Sequence, residues 1–160
     1  MTLSTKIKLP PKEIVGDLWK VYDKRTPNDV FIIPTNGSVN AHRCAIMGAG
    51  IAKEVQKRWP SIAEKLGDRL SQQGNVVHYF PDQQLIMFPT KRVWSEPSSI
   101  ELIIQSCKQL NVKALLYSFS NIYVPRVGCG CGGLSWEKVR PILIKYLDDR
   151  YTIVSMRGAQ

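Results

Sequence analysis

The stretch Pro125-Arg126-Val127-Gly128-Cys129-Gly130-Cys131-Gly132-Gly133-Leu134-Ser135-Trp136 decides how the chain reads. It follows the apolar run Ile122-Tyr123-Val124 and precedes a helix-like segment. Four glycines between positions 128 and 133 add nothing to a core. They let backbone N–H groups approach an anion closely, and phosphate is the usual one. A second loop of the same form, Met47-Gly48-Ala49-Gly50-Ile51-Ala52, also stands just before a helix start. Two such loops in a small α/β chain point to a ligand carrying two phosphates.

Two familiar nucleotide motifs are tested by these loops and fail. A classical phosphate loop ends in Lys-Ser or Lys-Thr, and neither loop does. Gly128, Gly130 and Gly133 satisfy the spacing G-x-G-x-x-G. That fingerprint, however, belongs near the start of a βαβαβ half with an acidic residue about 20 positions on. Only one helix and one strand follow it here, so a dinucleotide-binding domain of that kind is not expected.

Working outward, Val30-Phe31-Ile32-Ile33 reads as a buried central strand stopped by Pro34-Thr35-Asn36-Gly37. Ile51, Val55 and Trp59 recur every four residues, as one face of a helix does. Pro60 interrupts, and residues 61 to 70 read as a second helix. Val76 to Phe80 and Leu85 to Phe88 form a hairpin around Pro81-Asp82-Gln83-Gln84. Ser98-Ser99-Ile100-Glu101 fits a capping box. The helix it opens has the apolar face Ile100, Ile103, Ile104, Cys107 and Leu110. Residues 112 to 120 are open between strand and loop, and Ile122 to Val127 is a strand. Ser135 caps the next helix, whose regular part Pro141 delays. Tyr151 to Ser155 is a last strand. Strands alternating with helices, both faces covered, make a three-layer α/β domain.

At 160 residues, one domain is the natural reading. No apolar run approaches the roughly 20 residues of a membrane span. The N-terminus, Met1-Thr2-Leu3-Ser4-Thr5-Lys6, lacks a signal peptide's apolar stretch, so the cytoplasm is the expected location and no membrane partner is expected. Cys44, Cys107, Cys129 and Cys131 are expected as free thiols. Neither His42 nor His78 stands at zinc-site spacing from Cys129 and Cys131, so no metal and no cofactor are expected. Net charge is +9, which suits anionic ligands and leaves nucleic acid open as a partner through a basic surface.

Several ordered motifs, spread over nearly the whole chain, resemble the macrodomain family, which binds and processes ADP-ribose. Gly16-Asp17-Leu18 is similar to the family's Gly-Asp-Ile/Leu before the first buried strand. Thr35-Asn36-Gly37 follows that strand, and the two glycine loops match the family's phosphate and ribose loops. The resemblance implies residues 1–160 as one macrodomain of three α/β/α layers with a mixed central sheet, monomeric by default. Met87-Phe88-Pro89-Thr90-Lys91-Arg92-Val93-Trp94-Ser95 is similar to the branch with terminal ADP-ribose protein glycohydrolase and the DNA-ADP-ribosyl glycohydrolase antitoxins. There, a lysine at the position of Lys91 is catalytic.

The same resemblance implies residue roles. Asp17, with Leu18 beside it, would accept from the adenine amino group. Asn36, expected as catalytic with Lys91, or its rival Asn40, would hold the distal ribose hydroxyls beside Lys91. Gly48, Ala49, Gly50 and Ile51 would donate backbone N–H groups to the distal ribose and phosphate. Gly128, Cys129, Gly130, Cys131, Gly132, Gly133 and Leu134 would cradle the diphosphate opposite. Trp59, Trp94 and Trp136 read as packing residues, and Met156 or Arg157 is open as an adenine contact. One departure matters. Terminal ADP-ribose protein glycohydrolase has an aspartate where this chain has Gly132, whereas the antitoxin branch has a glycine-rich loop like this one. The implied activity is removal of ADP-ribose from a modified macromolecule. A non-catalytic ADP-ribose-binding module, an ADP-ribose 1″-phosphate phosphatase and a general nucleic-acid-binding protein remain as alternatives.

Overall fold

The computed structural model describes residues 7–156; Met1 to Lys6 and Arg157 lie outside the described residues. Chain order is β1 (Lys12–Val15), α1 (Leu18–Asp23), β2 (Asp29–Asn36), α2 (Gly50–Arg58), α3 (Ile62–Gln73), β3 (His78–Phe80), β4 (Leu85–Lys91), α4 (Ile100–Leu116), β5 (Asn121–Val124), α5 (Trp136–Tyr146) and β6 (Tyr151–Ser155). The six strands form one sheet ordered β1-β6-β5-β2-β4-β3. All neighbours are parallel except β3 and β4, so the sheet is mixed. Among the described residues no helix is long and apolar enough to cross a membrane.

The continuous apolar runs follow from helices on both faces of the sheet. Val30 and Ile32 enter one core, with Ile86, Phe88 and the inner faces of α4 and α5. Phe31 and Ile33 enter the other, with Leu85, Met87 and residues of α1, α2 and α3. Successive side chains of a strand point to opposite faces, so an unbroken apolar sequence fills two cores at once.

Several element boundaries differ from the sequence expectation. β2 passes through Pro34 and ends at Asn36. Phe31 N–H donates towards β4, to Gln84 O at 2.9 Å, so by alternation Pro34 faces the β5 side. Pairing with β5 has already ended at Phe31, so the missing N–H costs no ladder bond. β5 stops at Val124 because Pro125 opens the glycine loop. β4 runs on to Lys91 with a register shift: Thr35 pairs Pro89, and Asn36 pairs Lys91. Thr90 is the extra residue, a bulge of the kind that re-aims a strand end. β3 begins only at His78.

Ser99 rather than Ser98 caps α4, accepting from Leu102 N–H at 3.3 Å. Glu101 therefore falls one place short of the capping-box position. Residues 112 to 116 continue α4, since buried Ala114 extends the stripe of Ile103, Cys107 and Leu110. α5 begins at Trp136 and contains Pro141, which forfeits one bond to the Glu137 carbonyl at an exposed position.

Gly67 lies inside α3, where glycine is usually unfavourable by about 1 kcal/mol relative to alanine. A Cβ there would overlap the Arg43 carbonyl oxygen and lie 3.0 Å from Ala45 N. The missing side chain lets the segment before the first glycine loop dock on α3, where Ala45 N donates to Ala63 O at 2.8 Å. Gly67→Ala is therefore expected to lower stability in urea unfolding by roughly 1–3 kcal/mol, against its helix propensity. Stabilisation would contradict this packing.

Candidate functional site

Parallel pairing brings the C-terminal ends of β1, β6, β5, β2 and β4 to one edge of the sheet. Asp17, Leu18, Asn36, Lys91 and the loop 128–134 lie on or after these ends, and residues 48–51 follow β2 through the segment 37–47. In open α/β sheets, ligands lodge at such an edge.

A cavity of about 440 Å³ opens there. It is lined by Gly16, Asp17, Leu18 and Trp19 after β1, Ile51 and Glu54 of α2, Pro125, Arg126, Cys129 and Gly130 after β5, and Val154, Ser155 and Met156. The structure thus joins Asp17, Leu18, Ile51, Cys129 and Gly130 around one hollow. Asp17 caps α1, its Oδ1 accepting from Trp19 N–H at 2.9 Å. Gly16 N donates to Ser155 O at 2.8 Å, which fixes this turn against β6. Met156 lines the cavity and is exposed.

The loop glycines meet two demands, conformation and packing. Gly50, Gly130 and Gly133 have φ of +58°, +66° and +77°, a left-handed conformation that disfavours side chains. Gly50 and Cys131 mark where the loops meet: a Cβ on Gly50 would lie 3.9 Å from Cys131 Sγ. Gly130 and Gly133 face open space. Gly128, whose φ is also positive at +76°, and Gly132 serve packing. A Cβ on Gly128 would lie 2.7 Å from Ile103 Cδ1 of α4, and one on Gly132 would overlap Ser98 Oγ. Ser98 N donates to Gly132 O at 2.8 Å, so these backbones are in direct contact. Ser98 Oγ is buried without a partner. Gly48 and Ala49 are exposed, and Ala49 is the N-cap position of α2. Burial pushes the Cys129 thiol up against the opposing charge of Arg126, which favours a protonated packing residue.

Asn36 and Lys91 lie outside the cavity lining but side by side, as register partners. Asn36 Nδ2 donates to Ile46 O and its Oδ1 accepts from Ser38 N–H, both at 2.9 Å. It therefore anchors the chain one residue before the first glycine loop, with one N–H and one lone pair left over. Asn40 is exposed, and its Oδ1 accepts from His42 and Cys44 N–H within its own turn. Lys91 is half-buried.

Sequence reasoning missed several residues. Asn75 Nδ2 donates to Lys91 O at 3.0 Å, and a Cβ on Gly37 would lie 2.8 Å from the same nitrogen. Asn75 thus wedges the Asn36-Gly37 turn against the end of β4. Arg126 lines the cavity, donates from Nε to Ser155 Oγ at 2.7 Å and stacks its guanidinium over Trp136. Trp19 Nε1 donates to Glu54 at the cavity wall. Trp59 packs on Trp19 and Tyr22, and Trp136 is buried, as expected. Trp94 is not a packing residue: it is 56% exposed.

No protein-family model matches the chain. A DNA ADP-ribosyl glycohydrolase of Mycobacterium tuberculosis is 28% identical over 134 residues, covering 72% of this chain and 36% of that protein. ADP-ribose glycohydrolase OARD1 of Homo sapiens is 29% identical over 119 residues, covering 72% of this chain and 77% of that protein. The macrodomain of Mycobacterium tuberculosis DarG superposes with a TM-score of 0.74 at 22% identity, covering 92% of this chain and 98% of that one. Thermosipho africanus DarTG in complex with ADP-ribose gives 0.72 at 22% identity, covering 93% and 43%. The chain spans about a third of the length of the curated DNA ADP-ribosyl glycohydrolases it matches. It has a macrodomain fold, a mixed six-stranded sheet flanked by helices, with homology to these glycohydrolases.

The Gly132–Ser98 contact gives a test of the loop geometry. Gly132→Ala is expected to cost about 1–3 kcal/mol in urea unfolding. In a Ser98→Gly background most of that cost should vanish, leaving a coupling well above the roughly 0.5 kcal/mol of independent sites. Equal losses in both backgrounds would refute the contact.

Proposed function

We propose that this macrodomain is an ADP-ribosyl glycohydrolase whose Lys91 acts at the anomeric carbon of the distal ribose. The observation that carries the reading is the register pairing of Lys91 with Asn36, beside two glycine loops at one sheet edge. Homologues named as DNA ADP-ribosyl glycohydrolase and ADP-ribose glycohydrolase support hydrolysis as the activity.

In this reading adenine enters the cavity. Its amino group donates to Asp17, whose Oδ1 already serves the α1 cap, leaving Oδ2 for the ligand. Leu18, buried behind it, supplies the apolar wall. The diphosphate lies between residues 48–51 and 128–134, held by backbone N–H groups and by the N-terminus of α2. Positive charge from Arg126 reaches the same hollow. The distal ribose lies beyond the contact of Gly50 with Cys131, towards Asn36 and Lys91.

Two roles for Lys91 balance. As a nucleophile, the neutral amine attacks C1″ of the opened sugar and breaks the bond to the modified group, which takes up a proton. Water then hydrolyses the resulting Schiff base, releasing ADP-ribose and the free amine. As an acid, the ammonium protonates the departing group and water attacks C1″. Borohydride trapping of a covalent adduct selects the first, and turnover without trapping selects the second.

The substrate proposed is nucleic-acid-linked ADP-ribose. The net charge of +9 supports it. So does Gly132, where Ser98 leaves no room for a carboxylate that would assist release from acidic side chains. That same absence favours a second reading, a binding module that holds ADP-ribose without turnover. A phosphatase acting on ADP-ribose 1″-phosphate is a third and predicts release of free phosphate.

Lys91→Ala is expected to slow ADP-ribose release from modified single-stranded DNA at least about a hundredfold. Calorimetric affinity for free ADP-ribose should stay within about twofold. Undiminished release would remove Lys91 from the mechanism, and binding without release by the wild type would select the binding module.

A further inference from the structure

The loop from residue 92 to residue 97 leaves β4 directly after Lys91 and is exposed throughout. It is nonetheless pinned at both ends. Gly37 N donates to Arg92 O at 3.2 Å, and Trp94 N donates to Ser38 Oγ at 3.0 Å. A turn closes with Glu96 N to Val93 O at 3.1 Å, and Ser98 N then joins the second glycine loop at Gly132. The loop therefore bridges the Asn36–Ser38 turn and the diphosphate loop on a fixed backbone.

At its tip stands Trp94, 56% exposed, beside Val93 at 39%. The other three tryptophans each pack on a ring or a guanidinium. Among the described residues no aromatic ring, guanidinium or ammonium stacks on the Trp94 indole. A single exposed apolar residue is ordinary on a protein surface. A flat ring on an anchored backbone, three residues beyond the lysine assigned to the anomeric carbon, is not scattered surface. With Lys91 at the anomeric carbon, as proposed, this loop is the exposed segment next in the chain to the group that carries the ADP-ribose.

We infer that Trp94 is a stacking platform for a nucleobase of the modified strand, the residue that makes the site select nucleic-acid-linked ADP-ribose. This rests on the reading of Lys91 given above. Bases stack on aromatic side chains whatever their sequence, since every base has a π-face. Arg92, whose side chain is 62% exposed, can take a backbone phosphate. It is held 3.7 Å from Glu101, and Glu96 shares the loop, so charge is nearly balanced locally. The indole face, rather than net charge, then discriminates, and its contribution is insensitive to salt. A peptide carrying ADP-ribose offers no ring at a fixed distance from C1″ and gains nothing from it.

The test compares wild type, Trp94→Ala and Trp94→Phe on a single-stranded oligonucleotide bearing one ADP-ribosyl group. Trp94→Ala should raise KM about tenfold, by the same factor at low and high salt, with kcat within about twofold. Trp94→Phe should recover most of the loss. Calorimetric affinity for free ADP-ribose should be unchanged, which a merely structural role would not leave intact. An unchanged KM, or an equal fall in ADP-ribose affinity, overturns the inference. If the wild type releases nothing, the glycohydrolase reading fails, and anisotropy of an unmodified labelled oligonucleotide decides the stacking separately. A tenfold weaker affinity in Trp94→Ala upholds it, and an equal affinity overturns it.

Discussion

Five parallel strands that end on one edge are the constraint on which the site depends. Gly16 and Asp17 follow β1, Asn36 ends β2, Lys91 ends β4, the second glycine loop follows β5, and Ser155 ends β6. These residues span about 140 positions of sequence, yet ladder register alone brings them to one rim. Register is strongly specified here because both faces of the sheet are buried, and a slip by one residue would invert every side chain. The Thr90 bulge acts within this frame. It shifts β4 by one residue at its last step, so that Lys91 rather than Thr90 faces Asn36. Buried Ser106 supports the bulge by donating to Pro89 O at 2.7 Å, and the Thr90 carbonyl accepts from Ser99 N–H.

The second glycine loop answers two demands at once. Gly128 and Gly132 are small because α4 and Ser98 press against them, which holds the loop down. Gly130 and Gly133 are glycines because their backbones take left-handed conformations in open space, and Gly133 N–H closes the turn by donating to Gly130 O at 3.0 Å. Diphosphate binding through backbone N–H groups needs no lysine or arginine motif. The proposed binding mode is consistent with loops whose sole basic residue is Arg126 in a chain with 22 lysines and arginines. In that proposed mode the remaining positive charge is available to steer a polyanion rather than to grip the ligand.

Much of the fold was legible in the sequence. The run from Val30 to Ile33 read as a doubly buried strand, and the i, i+4 spacing of Ile51 and Val55 marked α2. Boundaries were harder, for identifiable reasons. Pro34 looked like a terminator because only the register shows that its missing N–H faces an unpaired side. The last turn of α4 was masked by exposed Val112, Leu115 and Leu116, which hide buried Ala114. At the site, residues carried by local motifs, Asp17 and the two loops, could be named. Asn75 and Arg126 could not, because their partners lie 16 and 29 residues away. Their roles come from tertiary contact, with no local pattern to announce them.

The most direct measurement is the change in amide ¹⁵N and ¹H shifts along the chain on titration with ADP-ribose. Backbone coordination predicts the largest changes at residues 48–51 and 128–134, with Asp17 and Leu18 also shifted and the outer face of α4 silent. Saturation without movement in either glycine loop, or shifts gathered on exposed lysines and arginines instead, would contradict it.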